Sequence, residues 1–149
     1  DFIPFEIALK LKEKGFREEC IAYYHTDGEL LYNSDQYRGG NYKSLLRSYN
    51  SLPKNPIGCG QIDAPTISQV LKWLRKEKKI HIEPCILADT DTDADGKVIN
   101  EFTYWSFSIM SIANGDMIYF EYEHIDYKRF DYYEQAALAG IEYVLNKLI

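Results

Sequence analysis

Cysteine is scarce: Cys20, Cys59 and Cys85 are an odd number at wide spacings, with no CxxC, so neither a disulfide framework nor a zinc-ligand spacing is present. They read as reduced, mostly buried thiols of a cytoplasmic protein. Cys59, between Gly58 and Gly60, is the one expected at the surface, as an incidental loop thiol. Histidine is equally rare, and His25, His81 and His124 fall singly on segments that read as strands. P-loop, GxGxxG, GxSxG and HExxH patterns are all missing, which argues against the motif-bearing enzyme classes. No apolar run approaches the roughly 18 residues that span a bilayer, and Asp1-Phe2-Ile3-Pro4 has no basic segment leading into a hydrophobic one. A membrane partner is therefore not expected. The first residue is not Met, which leaves room for residues ahead of it.

Positive charge is also short in one half of the chain. Residues 1–80 carry 13 Lys+Arg against 10 Asp+Glu (+3), whereas residues 81–149 carry 4 against 13 (−9), giving the net −6. The acidic half argues against broad nucleic-acid or membrane-surface binding. What is abundant is apolar and aromatic material, with 13 tyrosines whose amphipathic rings suit half-buried sheet faces. A length of 149 residues fits a single domain, 1–149, with a sizeable core.

Periodicity predicts the elements. Ile3, Ile7, Ala8 and Leu11 make an apolar stripe that ends at Gly15, predicting a helix over 4–14 with a glycine cap. Residues 20–25 and 29–32 read as strands joined at Asp27-Gly28. A long irregular loop, about 33–63, follows, with Gly39-Gly40, Pro53 and Pro56 as breakers; only 42–49 has the makings of a short helix. Thr66 and Gln69 match a capping box ahead of the stripe Ile67, Val70, Leu71 and Leu74, predicting a helix over 66–78. Trp73 lies about 100° from the centre of that stripe and is expected at the boundary of the core.

Three β-rich segments come next, 80–87, 102–112 and 117–122, separated by an aspartate run and by Asn114-Gly115-Asp116. On the middle one, Trp105, Phe107 and Ile109 should face the core. Tyr104, Ser106, Ser108 and Met110, with Tyr119 or Tyr122 opposite, should form the other face, suited to self-association. Asp131 and Glu134 cap a last helix, 132–148. The expectation is an α+β fold of order α-β-β-α-β-β-β-α. It has an antiparallel sheet, a β-hairpin plus a three-stranded meander, with about three helices packed on one face.

The most specific local pattern is Asp89-Thr90-Asp91-Thr92-Asp93-Ala94-Asp95-Gly96. With Asp91 as the first ligand position, Asp93, Asp95 and Gly96 reproduce the first half of a calcium loop, but Phe102 stands where the bidentate Glu belongs. An EF-hand is thereby disfavoured. Two readings stay open: a hairpin tip turned by Asp95-Gly96, or a weak Ca2+ site formed by Asp91, Asp93 and Asp95. A second pattern pairs Lys72, Arg75, Lys76, Lys78 and Lys79 of the second helix with Arg38, Lys43, Arg47 and Lys54 of the loop, interleaved with Tyr37, Tyr42 and Tyr49. Cations and rings together could hold a single strand of nucleic acid, although a solvated helix face accounts for the same lysines. The order from the second helix onward is similar to the double-stranded-RNA-binding fold, but the final helix begins with Asp131 and Glu134 instead of lysines.

Three segments carry a family resemblance: 7–16 (IALKLKEKGF), 64–75 with its VLKWLR run, and 132–141 (YYEQAALAGI). They resemble a family of small uncharacterised proteins of bacterial genomes, prophages and related mobile elements. That resemblance implies no activity and no site residues. The sequence thus favours a non-enzymatic interaction or accessory module with a protein partner or a second copy of itself. A weak calcium-binding domain is the first alternative and a nucleic-acid-binding module the second.

Overall fold

The computed structural model describes residues 1–33, 46, 48–51, 60–113, 116–120 and 129–149; for 112, 113 and 116–120 it describes the backbone alone. The fold is α+β, and every strand pairing is antiparallel. The described residues gather into two compact units, Asp1–Trp73 with Leu145–Ile149, and Leu74–Val144.

In the first unit, α1 (Phe5–Glu13) buries Ile7, Ala8 and Leu11, the expected stripe. It stops for a local reason. Gly15 sits at φ +91°, and the N–H groups of Gly15 and Phe16 turn back to the carbonyls of Lys12 (3.2 Å) and Leu11 (2.9 Å), a Schellman termination. Phe16 and Leu11, one on each side of that turn, are both fully buried. Strands β1 (Ala22–Tyr24) and β2 (Leu30–Tyr32) form the expected hairpin, with Gly28 at φ +86° in its turn. A further strand, β3 (Ile62–Asp63), takes the other edge of β1, so the sheet order is β2-β1-β3. Ala8, Ala22, Tyr24, Ile62 and Ala64 pack into one cluster, and the Tyr24 hydroxyl donates to the Ile3 carbonyl at 2.6 Å.

Helix α2 (Ile67–Trp73) starts at the capping box: Gln69 N donates to Thr66 Oγ1 (3.3 Å), and Thr66 N to Gln69 Oε1 (2.9 Å). Trp73 is not a boundary residue. It is 4% exposed and meets Phe16 edge-on, with ring centroids 5.5 Å apart. The buried face is rotated from the expected stripe toward Trp73, leaving Leu71 only half-buried, because the chain leaving α1 lays Phe16 along that flank. Residues Leu74–Lys78 then form a π turn, and Lys79 ends it in the left-handed region, at φ 58°.

The second unit holds the meander β4 (Ile80–Thr92), β5 (Val98–Ala113) and β6 (Asp116–Phe120), in the order β4-β5-β6. Hairpin and meander thus belong to separate three-stranded sheets. Strand β4 runs into the aspartate segment as far as Thr92 and β5 begins at Val98, just beyond it, so both exceed the expected bounds. Helix α3 (Tyr133–Lys147) buries Ala137, Ile141, Val144 and Leu145 as expected. Its N-terminal bond differs from expectation: Gln135 Oε1, not Glu134, accepts from Asp131 N at 3.2 Å. Phe107 and Ile109 are buried and Trp105 meets Tyr133 edge-on, as the alternation requires. On the opposite face Ser106 is buried and Tyr104 half-buried, while the side chains of Tyr119 and Tyr122 lie outside the described residues.

Gly140 sets the distance between α3 and its sheet. A Cβ there would stand 2.7 Å from Ile82 Cγ2 and 3.1 Å from Phe107 Cδ2, closer than packed atoms tolerate. Gly140→Ala should therefore destabilise the protein by about 1 to 3 kcal/mol despite alanine's better helix propensity, measurable as a lower urea midpoint.

Candidate functional site

The densest polar arrangement among the described residues surrounds Asp63, the last residue of β3. Its neighbours Ile62, Ala64 and Pro65 are buried, and Asp63 itself is 0% exposed. A carboxylate withdrawn from water needs donors, and residues 48–50, midway along the same long segment, supply them. Tyr49 N donates to Oδ1 at 2.7 Å, Asn50 N to Oδ2 at 3.0 Å, and Ser48 Oγ to Oδ2 at 3.2 Å. The two backbone donors belong to a 3-10 turn, Tyr49–Ser51, which the carboxylate caps.

Around this contact the network continues outward. Asn50 Nδ2 donates to the Phe16 carbonyl at 3.1 Å, and the Asn50 carbonyl accepts from Arg17 at 2.8 Å. The Tyr49 hydroxyl donates to Asn33 Oδ1 at 3.0 Å, and Asn33 Nδ2 donates to the Cys20 carbonyl at 2.8 Å. Every buried side-chain nitrogen and oxygen among the described residues has a hydrogen-bond partner. Burial pushes the Asp63 carboxyl above the ordinary range, and the Asn50, Tyr49 and Ser48 donors pull it back in part. Cys20 is raised to about 12, first by burial and then by the nearby negative charge of Asp63 and Glu18. A thiol held that high stays protonated at neutral pH, so Cys20 is no nucleophile. The Asp63 network is a structural tie, with every donor engaged by the fold itself.

The three aspartates proposed as calcium ligands are not drawn together. Asp91 lies within β4, opposite Asn100. Asp93 Oδ1 accepts from Asp95 N (3.0 Å) and Lys97 N (2.9 Å), and Asp93 N donates to the Lys97 carbonyl (2.9 Å). With Gly96 at φ +80°, this is a three-residue hairpin loop closed by an aspartate side chain. Among the described residues no three His, Cys, Asp or Glu side chains form a metal-holding group. Asp89 pairs instead with Arg129 at 2.9 Å, and that guanidinium lies 4.6 Å over the Phe102 ring and 5.1 Å over Tyr104.

The basic and aromatic residues proposed for nucleic acid divide differently. Lys72, Arg75, Lys76 and Lys79 are exposed, as a solvated helix face requires. Tyr49 is committed internally, to Asn33 and to the Tyr23 ring at 4.7 Å. Arg38, Lys43, Arg47, Lys54, Tyr37, Tyr42, Cys59 and His124 lie outside the described residues.

One exposed feature stands out. Residues 90–101, the distal part of the β4–β5 hairpin, are exposed on both faces of the ribbon. Between the pairs Asp91–Asn100 and Thr92–Val98 the register shifts, so Ile99 is a bulge residue without a partner opposite, and it is 65% exposed. Val98 (45%) and Ile86 (59%) add to this apolar surface among acidic side chains. No protein family, curated protein or solved structure matches the chain. Among the described residues no helix is long and apolar enough to cross a membrane.

Sequence reasoning missed Asp63 because it assigned the residue to the end of an irregular loop. The available signal was a lone aspartate inside the apolar run Ile62-Asp63-Ala64-Pro65. Asp63→Ala should cost about 2 to 4 kcal/mol in urea denaturation, since it orphans buried donors, with Asp63→Asn costing less. A carboxyl raised above its ordinary value of 3.8 binds its proton more tightly in the folded chain. The contribution of Asp63 is therefore fullest below that value and diminishes as pH rises through the folded value. The stability difference between wild type and Asp63→Asn, followed from about pH 3 to 7, should shrink over that window. At the hairpin tip, calcium at about 5 mM should leave the melting temperature unchanged relative to chelator, because the Asp93 carboxylate already closes the turn.

Proposed function

We propose that this chain is a non-enzymatic interaction or accessory module that engages a protein partner through the distal β4–β5 ribbon. The observation that supports this reading most directly is the exposure of residues 90–101 together with apolar Val98 and Ile99 at the bulge. Apolar side chains held on an ordered ribbon gain nothing from the fold, and covering them on association is favourable. Two chemistry-bearing groups among the described residues are, by contrast, engaged inside the fold: Asp63 caps a turn and Cys20 is held protonated. The attribution to bacterial or mobile-element genomes rests on the resemblance of three helical segments.

A Val98→Ser/Ile99→Ser variant tests the reading. Both positions are exposed, so stability should change by less than about 0.5 kcal/mol. Proteins retained by the tagged wild-type chain from its own cells should fall about tenfold or more with the variant, by quantitative mass spectrometry. Equal retention by the two folded proteins would count decisively against the ribbon as the contact surface.

A further inference from the structure

The outer edge of β4 is the place where the meander can accept another strand. Trp105 N donates to the Phe130 carbonyl (2.8 Å), and Phe130 N donates to the Trp105 carbonyl (2.9 Å). The backbone groups of Trp105 therefore point away from β4. Its register partner on β4 is Ile86, so Trp105–Ile86 is a pair without mutual hydrogen bonds, and the N–H and C=O of Ile86 point outward. By alternation the same holds for Ile82 and Ala88 and for the carbonyl of Thr90, whose N–H donates to Asp89 Oδ1 at 2.8 Å. Pro84, the residue that has no N–H to give, also falls on this outward set, as a proline in an edge strand should. In the order β4-β5-β6 no described residue pairs with that edge. Ile86, Ala88 and Thr90 are exposed along it.

The side chains beside the edge specify what fits. One face of β4 carries the acids Glu83 and Asp91, with Cys85, Leu87 and the Arg129-paired Asp89 between them; the other carries Ile86, Ala88 and Thr90. An added strand places its side chains beside these at alternate positions, so charge complementarity calls for Lys or Arg on the first face and apolar or small residues on the second. A second copy of this chain is a poor occupant. Antiparallel pairing of two β4 edges centred on Leu87 sets Glu83 opposite Asp91 at both ends, acid against acid.

We propose that β4 accepts an extended partner segment with basic residues at alternate positions, joined by main-chain hydrogen bonds at Ile86 and Ala88. This rests on the ribbon reading above and names its partner chemistry.

The test uses an eight-residue peptide alternating lysine and valine, the same peptide N-methylated on alternate amides, and a glutamate-valine counterpart. Each is titrated into the 15N-labelled full chain. The lysine peptide should shift the amides of Ile86 and Ala88, and slow their hydrogen exchange. Binding of the N-methylated peptide, and of the lysine peptide to Ala88→Pro, should be about tenfold weaker or more, and the glutamate peptide should not bind. Ala88→Val, which keeps the N–H, serves as the control, and the N-methyl arm holds even if Ala88→Pro folds poorly.

Equal binding of the methylated and unmethylated lysine peptides would show attraction by charge alone and overturn strand addition. So would no binding at millimolar peptide. If either result accompanied loss of partners in Val98→Ser/Ile99→Ser, the ribbon reading would survive without strand addition; unchanged partner retention would remove the ribbon reading itself.

Discussion

Burying a carboxylate is tolerable only where donors replace the water it loses, and the first unit is organised around that requirement at Asp63. The side chain leaves β3 and caps a 3-10 turn that lies more than ten residues earlier in the chain, so the middle and the end of the long segment 33–63 are tied at one point. Asn50 then reaches the carbonyl of Phe16. Phe16 in turn terminates α1 and covers Trp73 of α2. One polar contact thus connects the strand, the loop, the exit of the first helix and the flank of the second. Short-range rules place each piece, and the carboxylate fixes which pieces meet.

The second unit follows a different logic, because its proximal and distal parts have different surroundings. Near Ile82, Phe107 and Gly140 the sheet is packed closely enough that a single methyl group is excluded. Past Asp89 both faces of the ribbon are exposed. The transition is held by Arg129, which pairs with Asp89 and lies over Phe102 and Tyr104. An exposed ion pair of this kind contributes modestly, and the stacking of the guanidinium on two rings adds to it. The distal ribbon keeps its shape through its own ladder and through the Asp93 turn.

The aspartate run takes its meaning from this context. Four carboxylates in eight residues look like ligands when read as a string, yet the hairpin sets them in separate places. Asp89 holds a guanidinium, Asp91 projects from a strand, Asp93 closes the turn, and Asp95 donates its backbone N–H to Asp93. Strand alternation and the turn spread charges that a metal loop would have gathered.

Most elements could be read from local pattern, because local pattern is what makes them. The Ile3–Leu11 stripe, the Gly15 cap, the Thr66–Gln69 box, the Asp27-Gly28 turn and the Trp105–Ile109 alternation each depend on residues within a turn or two of one another. The features that escaped depend on partners far along the chain. Trp73 is core because Phe16 reaches it, and β3 is a strand because β1 has an edge to give. Asp63 is buried because three donors from the loop meet it there. At the ribbon, the sequence by itself determined the acidic charge and the turn. Only the tertiary structure decided that Ile99 bulges outward and that the N–H groups of Ile86 and Ala88 face away from β5, because the orientation of a strand's hydrogen bonds is set by the neighbour that claims its other side.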